Sequence, residues 1–514
     1  MTEQSPDLKT FRQHFGRASQ DKARVRHRLD DIYRLVFPHR HLQDGTAPQD
    51  SLDEIFDSTA IEAAADFASD MLNAFTPPFT SEWVKLSPAR HLKLDPAAMR
   101  AVELAIADYK DALWEAIAAS NLTQAARECY RDLATGTMAM LIQDVHPTQP
   151  IECTAIPVSD LYLERGPGGV VDGRFRKFRL RAELIPVMWP GAVLPETLKN
   201  RPADVEVDVT EGMWRDWSDR GTERWTFMLV EGEGSNVFLK ANYVGAGSCP
   251  MIVCRWDTDA TTAWGFGPLY NALPDIKTIN KLNELVLRNA DRAVDPVVVY
   301  PDDGVIDITQ GITAGTWIPA AQGSAKEVNV LDTTGNFNIG FMEQERLQSA
   351  IRRALFQDKP QQLGRTPPTA TQWLDQAQET ARRMGAPAGG IVTDWQFAII
   401  RRFAFLLEKR GSLPKVELSN KGPISLVPTN PYARSQEQEK GVRLKALAAE
   451  LAQLAGPQQA GLIIDWSVYA GERARQDGLE DTRSIRTPEQ IQQMIQNAAA
   501  MAEQAGMLPG GQGQ

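Results

Sequence analysis

A chain of 514 residues with 43% hydrophobic and 24% charged residues has the composition of an ordinary folded protein, which excludes the disordered and fibrous classes. It is longer than the roughly 250 to 300 residues at which a single core stops growing, so several subdomains are expected. With 55 Lys plus Arg against 66 Asp plus Glu the formal charge is −11. That argues against tight, static binding to a nucleic acid, but it leaves room for an anionic partner that must move past the protein.

The N-terminal MTEQSPDLKT lacks the charged-then-apolar pattern of a secretory signal, and no window approaches the ~18 consecutive apolar residues of a membrane span. The expectation is a chain made and kept in a cytosol. Residues 8–37 alternate apolar positions with Lys and Arg and end at Phe37-Pro38, which predicts one amphipathic helix stopped by proline. A second helix is expected over 58–75. Asp57, Ser58 or Thr59 can cap it, Glu62 lies in its first turn, the body is Ala-rich, and Pro77-Pro78 follows. Two more helices are expected over 96–118 and 122–135, the latter leading through Gly136 into a strand at 138–142. From about 150 to 258 short apolar or alternating runs, such as 174–180, 225–230 and 251–256, are separated by Gly, Pro and Asp clusters and predict a β-rich subdomain.

Residues 265–273 read as a turn, and Pro274-Asp275 as the opening of a long helix with Ile276, Ile279, Leu282 and Val286 on its apolar stripe. Lys277, Lys281 and Arg288 fall off that stripe. Asp295-Pro296 ends the helix. The run 297–300 then leads through Pro301-Asp302-Asp303-Gly304 into 305–308, a hairpin signature, with further strands expected at 314–319 and 326–331. A helix resumes near 341 with Met342, Leu347, Ile351 and Leu355 inward. The stretch 357–368 (QDKPQQLGRTPP) cannot continue a helix and holds Lys359 and Arg365. Thr369 to Gln372 caps a helix to about 384, Gly385 to Gly390 is expected to break it from another at 391–409, and two helices are expected near 434–454 and 488–505.

Motifs that would carry chemistry are missing from the string. There is no GxxxxGK[ST] phosphate cradle, no HExxH, no GxSxG and no EF-hand loop. The cysteines Cys129, Cys153, Cys249 and Cys254 show no CxxC spacing, so no metal site is assigned, and the pair around Pro250 to Val253 reads as two buried strand thiols. The six histidines (14, 27, 39, 41, 91 and 146) read mostly as solvated or capping side chains. Gly265-Phe266-Gly267 lacks the third glycine of a dinucleotide fingerprint. The twelve tryptophans are spread along the chain and read as core or interface anchors rather than as a platform for single-stranded nucleic acid.

Five pieces in register resemble the head-to-tail connector, or portal, family of short-tailed bacteriophages. They are Ile32-Tyr33 to Pro38; Phe56-Asp57-Ser58-Thr59 with Thr76-Pro77-Pro78 and Trp83; Gly265-Phe266-Gly267-Pro268; Ala272 to Lys277 with Asn280-Lys281; and Pro368-Thr369-Ala370-Thr371-Gln372. Gln372 departs from the pattern, where a glutamate is expected. The resemblance implies a mainly helical α+β subunit with wing, stem, clip and crown, assembling into a ring of twelve. Residues 1–264 would be the wing, 265–292 the first stem helix, 293–338 the β clip and 339–356 the second stem helix. The tunnel loop would be 357–368, wing helices and closing strands 369–432, and the helical crown with its frayed tail 433–514.

By the same resemblance the protein is a virion component at one capsid vertex, assembled in the host cytoplasm, with no enzymatic activity, no cofactor and no membrane. Its partners would be copies of itself, double-stranded DNA passing through the channel, terminase, a tail adaptor, and capsid and scaffolding proteins. Lys359, Gln361, Gln362 and Arg365 in the loop and Lys277, Lys281, Arg352 and Arg353 on the wet faces of the stem helices would line the DNA channel. Asp302, Asp303 and Trp317 would form the docking surface of the clip. The competing readings are another virion protein, such as a tail adaptor or minor capsid component, and a nucleic-acid enzyme with an unfamiliar site.

Overall fold

Apolar residues three and four apart make the first element. In the computed structural model, helix α1 (Pro6–Val36) buries Phe11, Phe15, Ala18, Val25, Leu29, Ile32, Tyr33 and Val36 along one side. The structure describes residues 6–40, 42, 54–78, 82–88, 96–144, 151–199, 205–219, 221–294, 298–301, 317–320, 329–330, 337–357, 383–413, 424–428, 446 and 450. After α1 come α2 (Thr59–Phe75), β1 (Val84–Pro88), α3 (Pro96–Ala118), α4 (Leu122–Leu133), β2 (Thr137–Gln143), β3 (Glu152–Ile156), β4 (Leu161–Arg165) and β5 (Val171–Arg181). The short helices α5 (Ile185–Met188) and α6 (Glu196–Lys199) precede β6 (Glu206–Arg215), β7 (Arg224–Glu231), β8 (Val237–Val244) and β9 (Met251–Arg255). Then follow α7 (Pro268–Val294), β10 (Val298–Pro301), β11 (Trp317–Ala320), β12 (Asn329–Val330), α8 (Phe337–Ala354), α9 (Gly385–Ile391), α10 (Phe397–Arg410) and β13 (Ile424–Pro428).

The β-rich region holds two sheets. One is a five-stranded antiparallel meander, β4-β5-β6-β7-β8. α1 closes one of its faces, where Phe11, Phe15 and Ala18 meet Phe175, Trp214, Met228 and Val230. The other sheet is β3-β2-β9, whose central strand is buried at every position from Thr137 to Ile142. A strand buried on both faces cannot show alternation, which is why 138–142 reads as a continuous apolar run. The predicted strand thiols Cys249 and Cys254 are both buried. Strands β1 and β13 pair antiparallel across more than three hundred residues of sequence.

Four expectations change. α7 opens at Pro268 rather than at Pro274, which now sits inside the helix. Backbone hydrogen bonds pin the chain at Gly267 and Leu269 (see below), so the first turn forms there, and Pro274 forfeits only one early bond. α8 starts at Phe337, and Met342, expected inward, is 73% exposed. The glycine run does not break the chain. Gly385 to Ile391 is helical and passes through a π turn (Val392–Gln396) into α10. Burial of Met384, Ala388 and Ile391 outweighs the poor helix propensity of glycine. In the β insert, β10 pairs parallel with β11 and antiparallel with β12. Both edges of Val298 and Val299 are therefore taken, while 305–308, the expected hairpin partner, lies outside the described residues.

The chain divides into two units, Met1–Pro428 and Thr429–Gln514. The expected crown, 433–514, lies outside the described residues apart from helical residues 446 and 450. Among the described residues no helix is long and apolar enough to cross a membrane.

Candidate functional site: the paired helices and their anchors

Helices α7 and α8 pack on each other and flank the three-stranded insert β11-β10-β12. Each changes character along its length. On α7, Leu269, Ala272, Leu273, Ile276 and Ile279 are buried, whereas Leu285 and Leu287, nearer the insert, are 50% and 52% exposed. On α8, Leu347 and Ile351 are buried, as is Leu355 just past its end, whereas Phe341 nearer the insert is 53% exposed. The halves away from the insert thus have a core, and the insert-side halves present apolar side chains to solvent.

Glycine backbone fixes where α7 begins. A Cβ at Gly136 would stand 2.3 Å from the Gly265 oxygen, and one at Gly267 would stand 2.3 Å from the Ala134 oxygen. Only glycine permits two chain segments to approach this closely. Across the contact Gly267 N–H donates to Thr135 O at 3.2 Å, Leu269 N–H to Ala134 O at 3.0 Å, and Trp256 N–H to Gly136 O at 2.8 Å. The Gly265-Phe266-Gly267-Pro268 piece is therefore a weld between the turn after α4 and the start of α7.

A second anchor is the strap 54–57. Phe56 N–H donates to Asn280 Oδ1 at 2.7 Å, and Asn280 Nδ2 donates to Glu54 O at 2.7 Å. Asn283 Nδ2 donates to Phe56 O at 3.0 Å and to Asp57 Oδ2 at 3.2 Å. Gln348 Nε2 of α8 reaches the same Asp57 oxygen at 3.2 Å, while Asp57 Oδ1, one residue ahead of the Ser58 N-cap, accepts the first N–H of α2, that of Thr59, at 3.0 Å. One carboxylate ties α2, α7 and α8 together. The sequence marks Asp57 as a cap candidate, but nothing in it links that residue to positions 283 and 348.

The expected channel residues divide into three groups. Lys277 and Lys281 are exposed on α7 as expected, yet each is committed to an ion pair. Lys277 Nζ lies 2.5 Å from Asp31 Oδ2 of α1, and Lys281 Nζ lies 2.8 Å from Glu284 Oε2. The Lys281 hydrogen bond holds the Glu284 carboxyl below its usual range. Arg352 and Arg353 are exposed at the end of α8. Lys359, Gln361, Gln362 and Arg365 lie outside the described residues, as do Asp302 and Asp303; Trp317 is described only as backbone of β11.

Buried ionisable groups sit on α1 and on the sheet that it closes. Lys22 is 3% exposed, donates to the carbonyls of Val158 and Ser159, and lies 3.9 Å from the Tyr162 ring centre; burial pulls its ammonium down to about 7. Glu211 on β6 is fully buried with neither carboxyl oxygen hydrogen-bonded, and burial pushes it up to about 7. His14, expected to be solvated, instead meets Glu164 at 2.6 Å and stacks on Trp214 with ring centres 5.3 Å apart. Among the described residues no group of three His, Cys, Asp or Glu could hold a metal ion.

The family model described as bacteriophage head to tail connecting protein matches residues 8–483. The chain belongs to that family, a structural one, and its role is that of a portal in a virion. Among solved structures it is similar to a chain of the virion of a native gene transfer agent particle, with 12% identity and a TM-score of 0.35, covering 77% of this chain and 98% of that one. It is also similar to a chain of the neck of an empty gene transfer agent particle computed with C6 symmetry, with 12% identity and a TM-score of 0.32, covering 76% and 94%. No curated protein matches.

Proposed function

We propose that copies of this chain form the ring at one capsid vertex through which the phage genome is packaged and later ejected. The ring is assembled in the host cytoplasm and docks terminase during packaging and tail components afterwards. The observation that carries this reading is the pair of helices flanking a β insert in a connector-family chain. Their insert-side halves leave Leu285, Leu287, Phe341 and Met342 exposed. Exposed side chains of this size on adjoining helices suit burial against the next copy around a closed ring. Each copy contributes a charge of −11, which keeps DNA from adhering to the wall as it moves.

Electron micrographs of the purified chain test the ring. Rings with a central hole wide enough for duplex DNA are expected, and a monodisperse monomer at every concentration would sink the proposal. Within the ring, Lys359 and Arg365 make transient phosphate contacts. Their joint replacement by alanine is expected to leave rings intact and to change the length or retention of packaged DNA. Wild-type packaging by that variant would remove the two cations from the mechanism.

A further inference from the structure

Helices α8 and α10 end in the same hydrogen-bond pattern with different residues at the turn. After α10, Gly411 has φ 74°, its N–H donates to Glu408 O at 3.0 Å, and Ser412 N–H donates to Leu407 O at 3.0 Å. After α8, Phe356 has φ 61°, its N–H donates to Arg353 O at 3.2 Å, and Gln357 N–H donates to Arg352 O at 2.8 Å. Both are Schellman ends, in which the last carbonyls are satisfied by a residue in the left-handed region. Glycine enters that region freely. A residue with a Cβ is opposed there, and a bulky one is an outlier.

Phe356 is the one non-glycine residue with positive φ among the described residues. Its surroundings over-determine it. The ring packs on Trp256 with centres 5.6 Å apart, and Trp256 packs in turn on Phe67 of α2 at 5.4 Å. The Arg383 guanidinium lies over the Phe356 ring at 5.5 Å. On either side, Leu355 is fully buried and Gln357 Nε2 donates to Asp70 Oδ2 of α2 at 2.8 Å. At the α10 end none of this is needed, because glycine enters the left-handed region freely, and a Cβ at Gly411 would meet nothing within 4 Å that could hold it.

We infer that Phe356 is a positioning residue: its left-handed turn, held by the ring on Trp256, fixes the direction in which the chain leaves the second stem helix. Without the ring contact a residue of this type returns to the right-handed region and α8 gains length instead of turning. The inference deepens the portal reading, because α8 is one of the helices assigned there to the stem.

The test is hydrogen exchange of the full-length chain, read at the amides of residues 356 and 357, in three variants. Phe356→Gly is expected to stay within about three-fold of wild-type protection, because glycine needs no anchor to turn left-handed. Phe356→Val is expected to lose roughly ten-fold or more. Trp256→Leu should lower protection when residue 356 is Phe and have no further effect in the Phe356→Gly background. If Phe356→Gly loses as much protection as Phe356→Val, the ring matters only as packing and the inference falls. It falls equally if Phe356→Val exchanges like wild type. These two variants leave Trp256 in place, so they decide the matter even if Trp256→Leu fails to fold. Micrographs of the wild-type chain decide the ring separately, so either idea can fail alone.

Discussion

The five-stranded sheet and the α7–α8 pair are held by opposite means. Under α1 the sheet closes on rings: Phe11 meets Phe175 at 5.8 Å and Trp214 at 6.1 Å, and all three are buried. Helices α7 and α8 are tied to the strap 54–57 by side-chain amides and a carboxylate, Asn280, Asn283, Gln348 and Asp57, and keep apolar residues in solvent at their far halves. The first region is completed by its own chain. The second has polar anchors of fixed geometry at one end and an apolar surface suited to a neighbouring copy at the other.

If that contrast holds, substitutions should act on stability under α1 and on assembly at the exposed halves of α7 and α8. Phe11→Ala removes a fully buried ring from the core under α1 and is expected to lower stability by about 3 to 5 kcal/mol, read by denaturant unfolding. Next in size is Glu211, which shares a sheet face with Arg174 and Arg176 of β5 and Tyr243 of β8 and stands directly across from Arg176. Its folded carboxyl stands at about 7 against 4.5 in the unfolded chain. Stability from this group is full below pH 4.5, declines as pH rises toward 7, and is level above. Glu211→Gln should therefore exceed wild type by about 3 kcal/mol at pH 8 and converge with it near pH 4. Parallel melting-temperature profiles would show that Glu211 is solvated in solution.

At the α7–α8 pair the expected losses are smaller. Asp57→Ala takes the carboxylate from Gln348 and from the Thr59 N–H and leaves Asn283 only its bond to Phe56 O, and should lower stability by about 1 to 3 kcal/mol. A change under about 0.5 kcal/mol would mean the strap does not anchor the helices. Leu287→Ser alters an exposed position and should move the stability of the isolated chain by no more than about 0.5 kcal/mol while reducing ring yield in micrographs. A large stability loss with normal rings would reverse the comparison.

The elements legible in the sequence are those whose signal is local. The stripe of α1, the Ala-rich α2 between Asp57 and Pro77, and the turn-bounded strands of the β-rich region follow from spacing and turn residues alone. Two of the misreadings share one cause, a distant partner that outweighs local preference. Pro274 looks like a helix start until the glycine weld at residues 136 and 267 sets the start six residues earlier. Gly385 to Gly390 looks like a break until buried Ala388 and Ile391 hold it helical. At the candidate site, Lys277 was legible as exposed, but its commitment to Asp31, 246 residues away in sequence, was not.

By itself, then, the sequence marked most of the described helices and strands, the absence of familiar catalytic motifs and, through five short pieces in register, the family. Periodicity and turn chemistry act over a few residues and are written into the string. Tertiary structure alone decided that Asp57 joins three helices, that neither Glu211 carboxyl oxygen has a hydrogen bond, and that α8 ends on a phenylalanine where α10 ends on a glycine. Each of these depends on which side chains burial and backbone approach bring together across hundreds of residues, and no local pattern encodes that.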